Sequence, residues 1–322
     1  MTMMNNITIK PASRTGLVNE YYFSSKLAEI ARMREAGADI INLGIGSPDM
    51  APDPGVISEL SRNASSARNH GYQGYRGIPS LRQAFADWYR RYFGVTLDPS
   101  SEILPLMGSK EGIMHISMAF LDPGDEVLVP DPGYPAYSAA ALLAGGVVRK
   151  YDLTEETGWF PDIRAIEAGG TGKVKIMWIN YPHMPTGTRA SRGLFEELIG
   201  FARRNSILLC NDNPYSFILN GDHLSILSID GASETALELN SLSKSHNMAG
   251  WRIGMVAGNG AFINNVLKVK SNMDSGMFQP LQAAATVALA ARDEWYTALN
   301  DAYQRRRKLA AEIMHSLSCT FS

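Results

Sequence analysis

Six short runs, most of them apolar on both faces, recur through the middle of this chain with helical stretches between them. They cover residues 126–130, 147–151, 174–179, 207–211, 237–240 and 253–257. A strand that is apolar on one face only can lie on a solvated sheet, whereas one that is apolar on both faces must be covered twice. Helical stretches at 110–121 and 193–205 supply such cover. The expectation is an α/β domain with a mainly parallel sheet between helix layers, joined by right-handed crossovers. Before this region, helical spacing of Leu27, Ile30, Ala31 and Arg34 predicts a helix over 23–36 that Gly37 ends. Residues 40–43 read as a short strand entering the turn Gly44-Ile-Gly-Ser-Pro-Asp49. A further helix opens at Ile78-Pro-Ser80 and carries Leu81, Phe85, Trp88 and Tyr92 on one face.

The end of the chain reads as one long helix from about Ala283, with Leu299, Ala302, Arg306, Leu309, Ile313 and Leu317 on a stripe. The closing Ser318-Cys-Thr-Phe-Ser322 has strand character, and a lone strand would leave its backbone unpaired. The expected organisation is therefore an N-terminal arm with part of a small domain over 1–50 and a large domain over 51–282. Residues 283–322 would form the long helix and the start of a smaller α+β domain that is incomplete at its C-terminal side.

Several function classes fall away on composition. Of 322 residues, 45% are apolar and 19% charged, with a net charge of -2, so neither nucleic acid nor an anionic membrane is an expected partner. No apolar run is long enough to span a bilayer, and the start Met1-Thr-Met-Met-Asn-Asn-Ile lacks the features of a signal peptide. The only cysteines are Cys210 and Cys319, so a reducing, cytoplasmic setting is the simplest reading. The six histidines show no metal-ligand spacing.

Chemistry concentrates in Ser241-Leu-Ser-Lys-Ser-His-Asn-Met-Ala-Gly-Trp-Arg-Ile-Gly254. A lysine amine is a nucleophile only once it loses its proton, and a dry pocket or a neighbouring cation such as Arg252 eases that loss. With Asn211-Asp-Asn-Pro-Tyr215, Gly108-Ser-Lys110, Asp131-Pro-Gly-Tyr-Pro-Ala-Tyr137 and Gly71-Tyr-Gln-Gly-Tyr-Arg-Gly77, this segment resembles the class I/II aminotransferases. These are fold-type I enzymes that use pyridoxal 5'-phosphate, and the resemblance covers most of residues 20–320. It implies that Lys244 holds the cofactor as a Schiff base and then serves as general acid–base. It implies that Asp212 pairs with the ring nitrogen and Tyr215 with the ring hydroxyl. Gly108, Ser109 and Lys110, at a helix start, together with Ser241 and Arg252, would hold the phosphate. Tyr134 would stack on the ring. Tyr72, with Tyr75 as its competitor, would reach the phosphate of a neighbouring subunit and make the protein a homodimer. Gly46 and Asn180 would contact the substrate, an amino acid or a 2-oxo acid.

One position departs from the family pattern. Asn180-Tyr-Pro-His-Met-Pro-Thr-Gly187 carries Met184 where the family has an asparagine that donates to the cofactor ring hydroxyl. A thioether cannot donate, and a lost hydrogen bond to a charged acceptor costs about 1.5–3 kcal/mol. Retuned or weakened catalysis is expected. No residue of the chain can be matched to the family's carboxylate-binding arginine. Two alternatives stay open at this point: a pyridoxal-phosphate carbon–sulfur lyase on the same scaffold, and a cofactor-binding sensor with little turnover.

Overall fold

The computed structural model describes residues 9–44 and 46–321. Among them, seven strands form one sheet: β1 (Ile103–Leu106), β2 (Glu126–Asp131), β3 (Val147–Asp152), β4 (Val174–Ile179), β5 (Leu208–Asp212), β6 (Ala236–Ser241) and β7 (Gly254–Gly258). Their order is β1-β7-β6-β5-β4-β2-β3. All neighbours pair in parallel except β7, which runs antiparallel to both β1 and β6. The expected mainly parallel sheet is present.

Its inner strands are buried on both faces because both faces are covered, whereas the edge strand β3, with Arg149 and Lys150, is largely exposed. Along β4, Ile176 and Trp178 join the core under the helices Ser109–Phe120, Pro135–Leu143 and Gly260–Lys270. Met177 and Ile179, one residue out of phase, join the core under the helices Ile163–Ala168 and Arg192–Asn205. That period of two is the ordinary consequence of strand geometry. A third cluster binds the helices Pro54–Ala64, Pro79–Phe93 and Gln279–Leu289 to the β1–β7 side.

Four expectations need correction. Residues 40–43 form no strand, and Ile41 and Leu43 lie 82% and 91% exposed. The single helix from about 283 is two helices, Gln279–Leu289 and Asp293–Ser316, because Arg292 adopts extended backbone between them. The boundary expected at 282/283 thus falls inside a continuous helix, whose Ala284, Ala285, Ala288 and Leu289 are core residues. On the last helix Leu299 is buried, but Leu309, Ile313 and Leu317 of the same stripe are exposed. Residues 319–321 have no regular structure. No helix among the described residues is long and apolar enough to cross a membrane.

Candidate active site

Parallel strands deliver their C-terminal ends to one edge of a sheet, and that edge is where ligands of open α/β folds bind. Here β5 ends in Asp212, β4 runs into Asn180, β6 ends in Ser241, and Gly108 follows β1. The antiparallel β7 begins at this same edge, so Arg252, two residues before it, joins the group. Topology, not proximity in sequence, assembles the site.

Lys244 sits on the short helix Leu242–Ser245, half-buried, and its ammonium donates to the carbonyl of Gly46. Burial first, and the Arg252 charge second, hold its proton less tightly than an ordinary lysine does. Lys110 is depressed in the same way by burial and by Arg252, and its ammonium stands 3.8 Å over the ring of Tyr21. Lys110, Lys244 and Arg252 are ion-paired with no carboxylate of the described residues. Two lysines that each feel the Arg252 charge without a counter-charge are costly, and an anion with several charges relieves that cost.

The turn before helix Ser109–Phe120 fits such an anion. Gly108 has φ +88, and a Cβ there would lie 2.3 Å from Nη2 of Arg252. Glycine lets the guanidinium lie against the backbone beside the free N–H groups of the helix start. Ser109 Oγ lies 3.5 Å from the Asn240 carbonyl. Ser241 is buried and caps the lysine helix: its Oγ accepts from Ser243 N at 3.0 Å and donates to Ser243 Oγ at 2.7 Å.

Asp212 is 5% exposed. Its Oδ2 accepts from Tyr137 Oη at 3.0 Å, while Oδ1 is buried without a partner. Desolvation lifts the carboxyl to about 7; the Tyr137 bond opposes this and the Glu238 charge adds to it. An orphaned, proton-hungry oxygen in such a place suits a cationic N–H donor, which is what a protonated pyridine ring offers. The residues present therefore fit pyridoxal phosphate at both of its charged ends. Tyr134 and Tyr215 face the same space; burial raises both phenols, and the Asp212 charge adds to each. The Lys244 ammonium is 5.9 Å from the ring centroid of Tyr215.

Asn180 is buried with both ends of its amide in use. Nδ2 donates to the Asp212 carbonyl, and Oδ1 accepts from Met184 N at 2.9 Å. It ties the 180–187 loop to β5, so turning its amide toward a ligand would break both bonds. Tyr72 lies apart from the group, 94% exposed, and Tyr75 is 45% exposed.

Two contributors were not read from the sequence. Tyr137 follows Tyr134 by three residues on the helix Pro135–Leu143, stacks on Trp178 at 5.0 Å and holds Asp212. The i, i+3 spacing of two tyrosines after a turn was the available signal. Tyr21 meets Tyr134 edge-on at 6.5 Å and covers Lys110. No local pattern marks it, because long-range folding brings it there.

Comparison with known proteins gives the family. The family described as aminotransferase class I and II matches residues 38–322. An LL-diaminopimelate aminotransferase from Moorella thermoacetica is 43% identical over 311 residues, covering 96% of this chain and 80% of that protein. Its counterpart from Natranaerobius thermophilus is 42% identical, with 95% and 80% covered. The BacF structure from Bacillus subtilis superposes with a TM-score of 0.92 at 33% identity, covering 96% of this chain and 79% of that one. Aspartate aminotransferase from Thermus thermophilus with maleate gives 0.89 at 28%, covering 97% and 81%. The chain belongs to the class I and II aminotransferase family and is a pyridoxal-phosphate-dependent aminotransferase.

Proposed function

We propose that the amino donor is a diamino dicarboxylate of the diaminopimelate class, that Lys244 is the reactive amine, and that two copies of the chain complete each site. The donor class rests on the relatives at 43% and 42% identity, both LL-diaminopimelate aminotransferases. The role of Lys244 rests on one observation above the others. Its ammonium, with weakened hold on its proton, lies in the field of Arg252, which also depresses Lys110, and neither Lys244 nor Arg252 has a counter-charge among the described residues.

In this reading the Gly108–Lys110 turn, Ser241 and Arg252 grip the cofactor phosphate, Asp212 meets its ring nitrogen, Tyr134 covers a ring face and Lys244 holds its aldehyde. Pyridoxal phosphate, when bound, supplies an electron-withdrawing system that stabilises negative charge at the substrate α-carbon. Lys244, as a neutral amine, takes the α-proton at Nζ and returns it to a different atom. The lowered proton affinity raises the share of neutral amine at neutral pH. Tyr137 fixes the orientation of Asp212, and the Asn180 bonds fix the loop that flanks it. Met184, half-buried in that loop, offers no side-chain donor. Tyr72, exposed at 94%, is free to reach the phosphate of a second copy.

Two measurements test this reading. Borohydride treatment of the loaded protein should fix the cofactor covalently in the wild type and not in Lys244→Ala. A donor panel with 2-oxoglutarate as acceptor should show LL-diaminopimelate turned over at least tenfold better than aspartate or tyrosine. Covalent fixation in Lys244→Ala would remove that residue from its role, and equal rates across the panel would remove the donor class. Release of pyruvate and ammonia from a cysteine-type donor would point to elimination chemistry instead.

A further inference from the structure

Beside the phosphate turn, and among none of the residues assigned above, four ionisable side chains are buried together. Glu111 and His115 lie one turn apart on the helix Ser109–Phe120; Lys270 ends the helix Gly260–Lys270, and Asp274 follows it. Their side chains are 15%, 2%, 2% and 8% exposed. Glu111, His115 and Asp274 bring ligand atoms within 4.8 Å of one another, a spacing that would suit a metal. The ammonium of Lys270, however, bonds directly to Asp274 Oδ2 and supplies the cation itself.

The two ends of this cluster touch functional backbone. Glu111 Oε1 lies 3.1 Å from His115 Nε2 in a close contact without hydrogen-bond geometry, since neither imidazole nitrogen has a hydrogen-bond partner. Glu111 Oε2 accepts from Met107 N at 2.5 Å, the residue just before Gly108. At the other end Asp274 Oδ1 accepts from Gly276 N at 2.9 Å. Gly276 (φ +86) packs so closely that a Cβ there would lie 2.4 Å from the Gln73 carbonyl, next to Tyr72. A carboxylate this near a phosphate site repels the ligand unless its charge is balanced, so its benefit there must be geometric.

We propose that this buried cluster is a brace that sets the phosphate-binding turn, with Glu111 as the positioning residue that fixes the Met107–Gly108 peptide. The inference rests on the reading that this turn binds the cofactor phosphate. In a charge role the carboxylate's ionisation would matter; in a brace only its reach matters. Glu111→Asp keeps the charge and withdraws the acceptor from Met107 N, whereas Glu111→Gln keeps the acceptor and removes the charge.

The test is an absorbance titration of the apo protein with pyridoxal phosphate and, separately, with pyridoxal, which lacks the phosphate. Glu111→Asp should bind pyridoxal phosphate roughly tenfold more weakly, the loss expected of one hydrogen bond, and pyridoxal as the wild type does. Glu111→Gln should match the wild type for both. A parallel loss of both compounds in Glu111→Asp would mean a merely structural role and overturn the brace. So would unchanged affinities in Glu111→Asp, or a selective phosphate loss in Glu111→Gln. A wild type that binds both compounds equally would strike the phosphate assignment of the turn, and the brace with it.

Discussion

Burial lifts the Asp212 carboxyl from 3.8 to about 7, and this makes the apo protein's stability depend on pH with a definite sign. The folded state holds a proton that the unfolded state releases near 3.8, so folding is favoured below that value and progressively less so as pH rises to about 7. The full shift is worth up to about 4 kcal/mol, since each unit is about 1.4 kcal/mol. Asp212→Asn carries no such proton. Its apo melting temperature should therefore gain on the wild type by several degrees between pH 5 and pH 8; a gap that stays constant would show that Asp212 is already ionised without ligand. Asp212 was legible in the sequence because a carboxylate directly after an apolar run sits at a strand end. Its missing partner was not legible, since orphaned oxygens are a property of packing. The same contrast separates Asn180, visible as a motif residue, from the two hydrogen bonds that tie its amide to β5 and to Met184.

The elements around the cofactor turn are spaced by glycine at the start of β7. Gly254 pairs with Ser241 across β6, and a Cβ there would lie 2.7 Å from the Asn240 carbonyl and 3.1 Å from Ser109 N. Both neighbours are backbone and cannot swing aside. Gly254→Ala should cost about 1–3 kcal/mol by overpacking, read as a lower urea midpoint, and should weaken pyridoxal phosphate binding by displacing Ser109. An unchanged midpoint would mean that β7 shifts freely against the turn. Element by element, the doubly apolar strands were readable because burial on both faces leaves no polar alternation to confuse. β1 was missed: Pro105 in Ile103-Leu-Pro-Leu106 argues against a strand, and it is tolerated here because β1 is an edge strand that pairs only with β7. The opposite error arose at 40–43, where apolar residues promised a strand but no partner strand lies alongside. Likewise the apolar spacing through 283–317 continues across Arg292, so periodicity alone could not reveal that the backbone leaves the helix there.

For the whole molecule, the site as one chain presents it leaves Tyr72 outside. Its side chain is 94% exposed, and Phe278, 40% exposed with its ring 5.7 Å from that of His70, extends the apolar surface near the loop. A symmetric pair would cover such a surface, and each copy would then lend its Tyr72 to the other's phosphate turn. This arrangement makes a prediction that averaging cannot imitate. Lys244→Ala destroys the amine in its own site, while Tyr72→Ala weakens the site of its neighbour. In a hybrid of the two, one site carries both defects and the other carries neither. Random re-pairing of equal amounts makes about half of all dimers hybrids, each with one intact site, so the mixture should show about a quarter of wild-type activity plus about a quarter of the Tyr72→Ala parent's, against half of that parent's activity if no site is restored. The parents should be unfolded and refolded together, or co-expressed with different tags, so that subunits exchange. Activity that remains at the parents' mean, with hybrids demonstrably formed, would place Tyr72 in the same site as the lysine of its own chain or in no site at all.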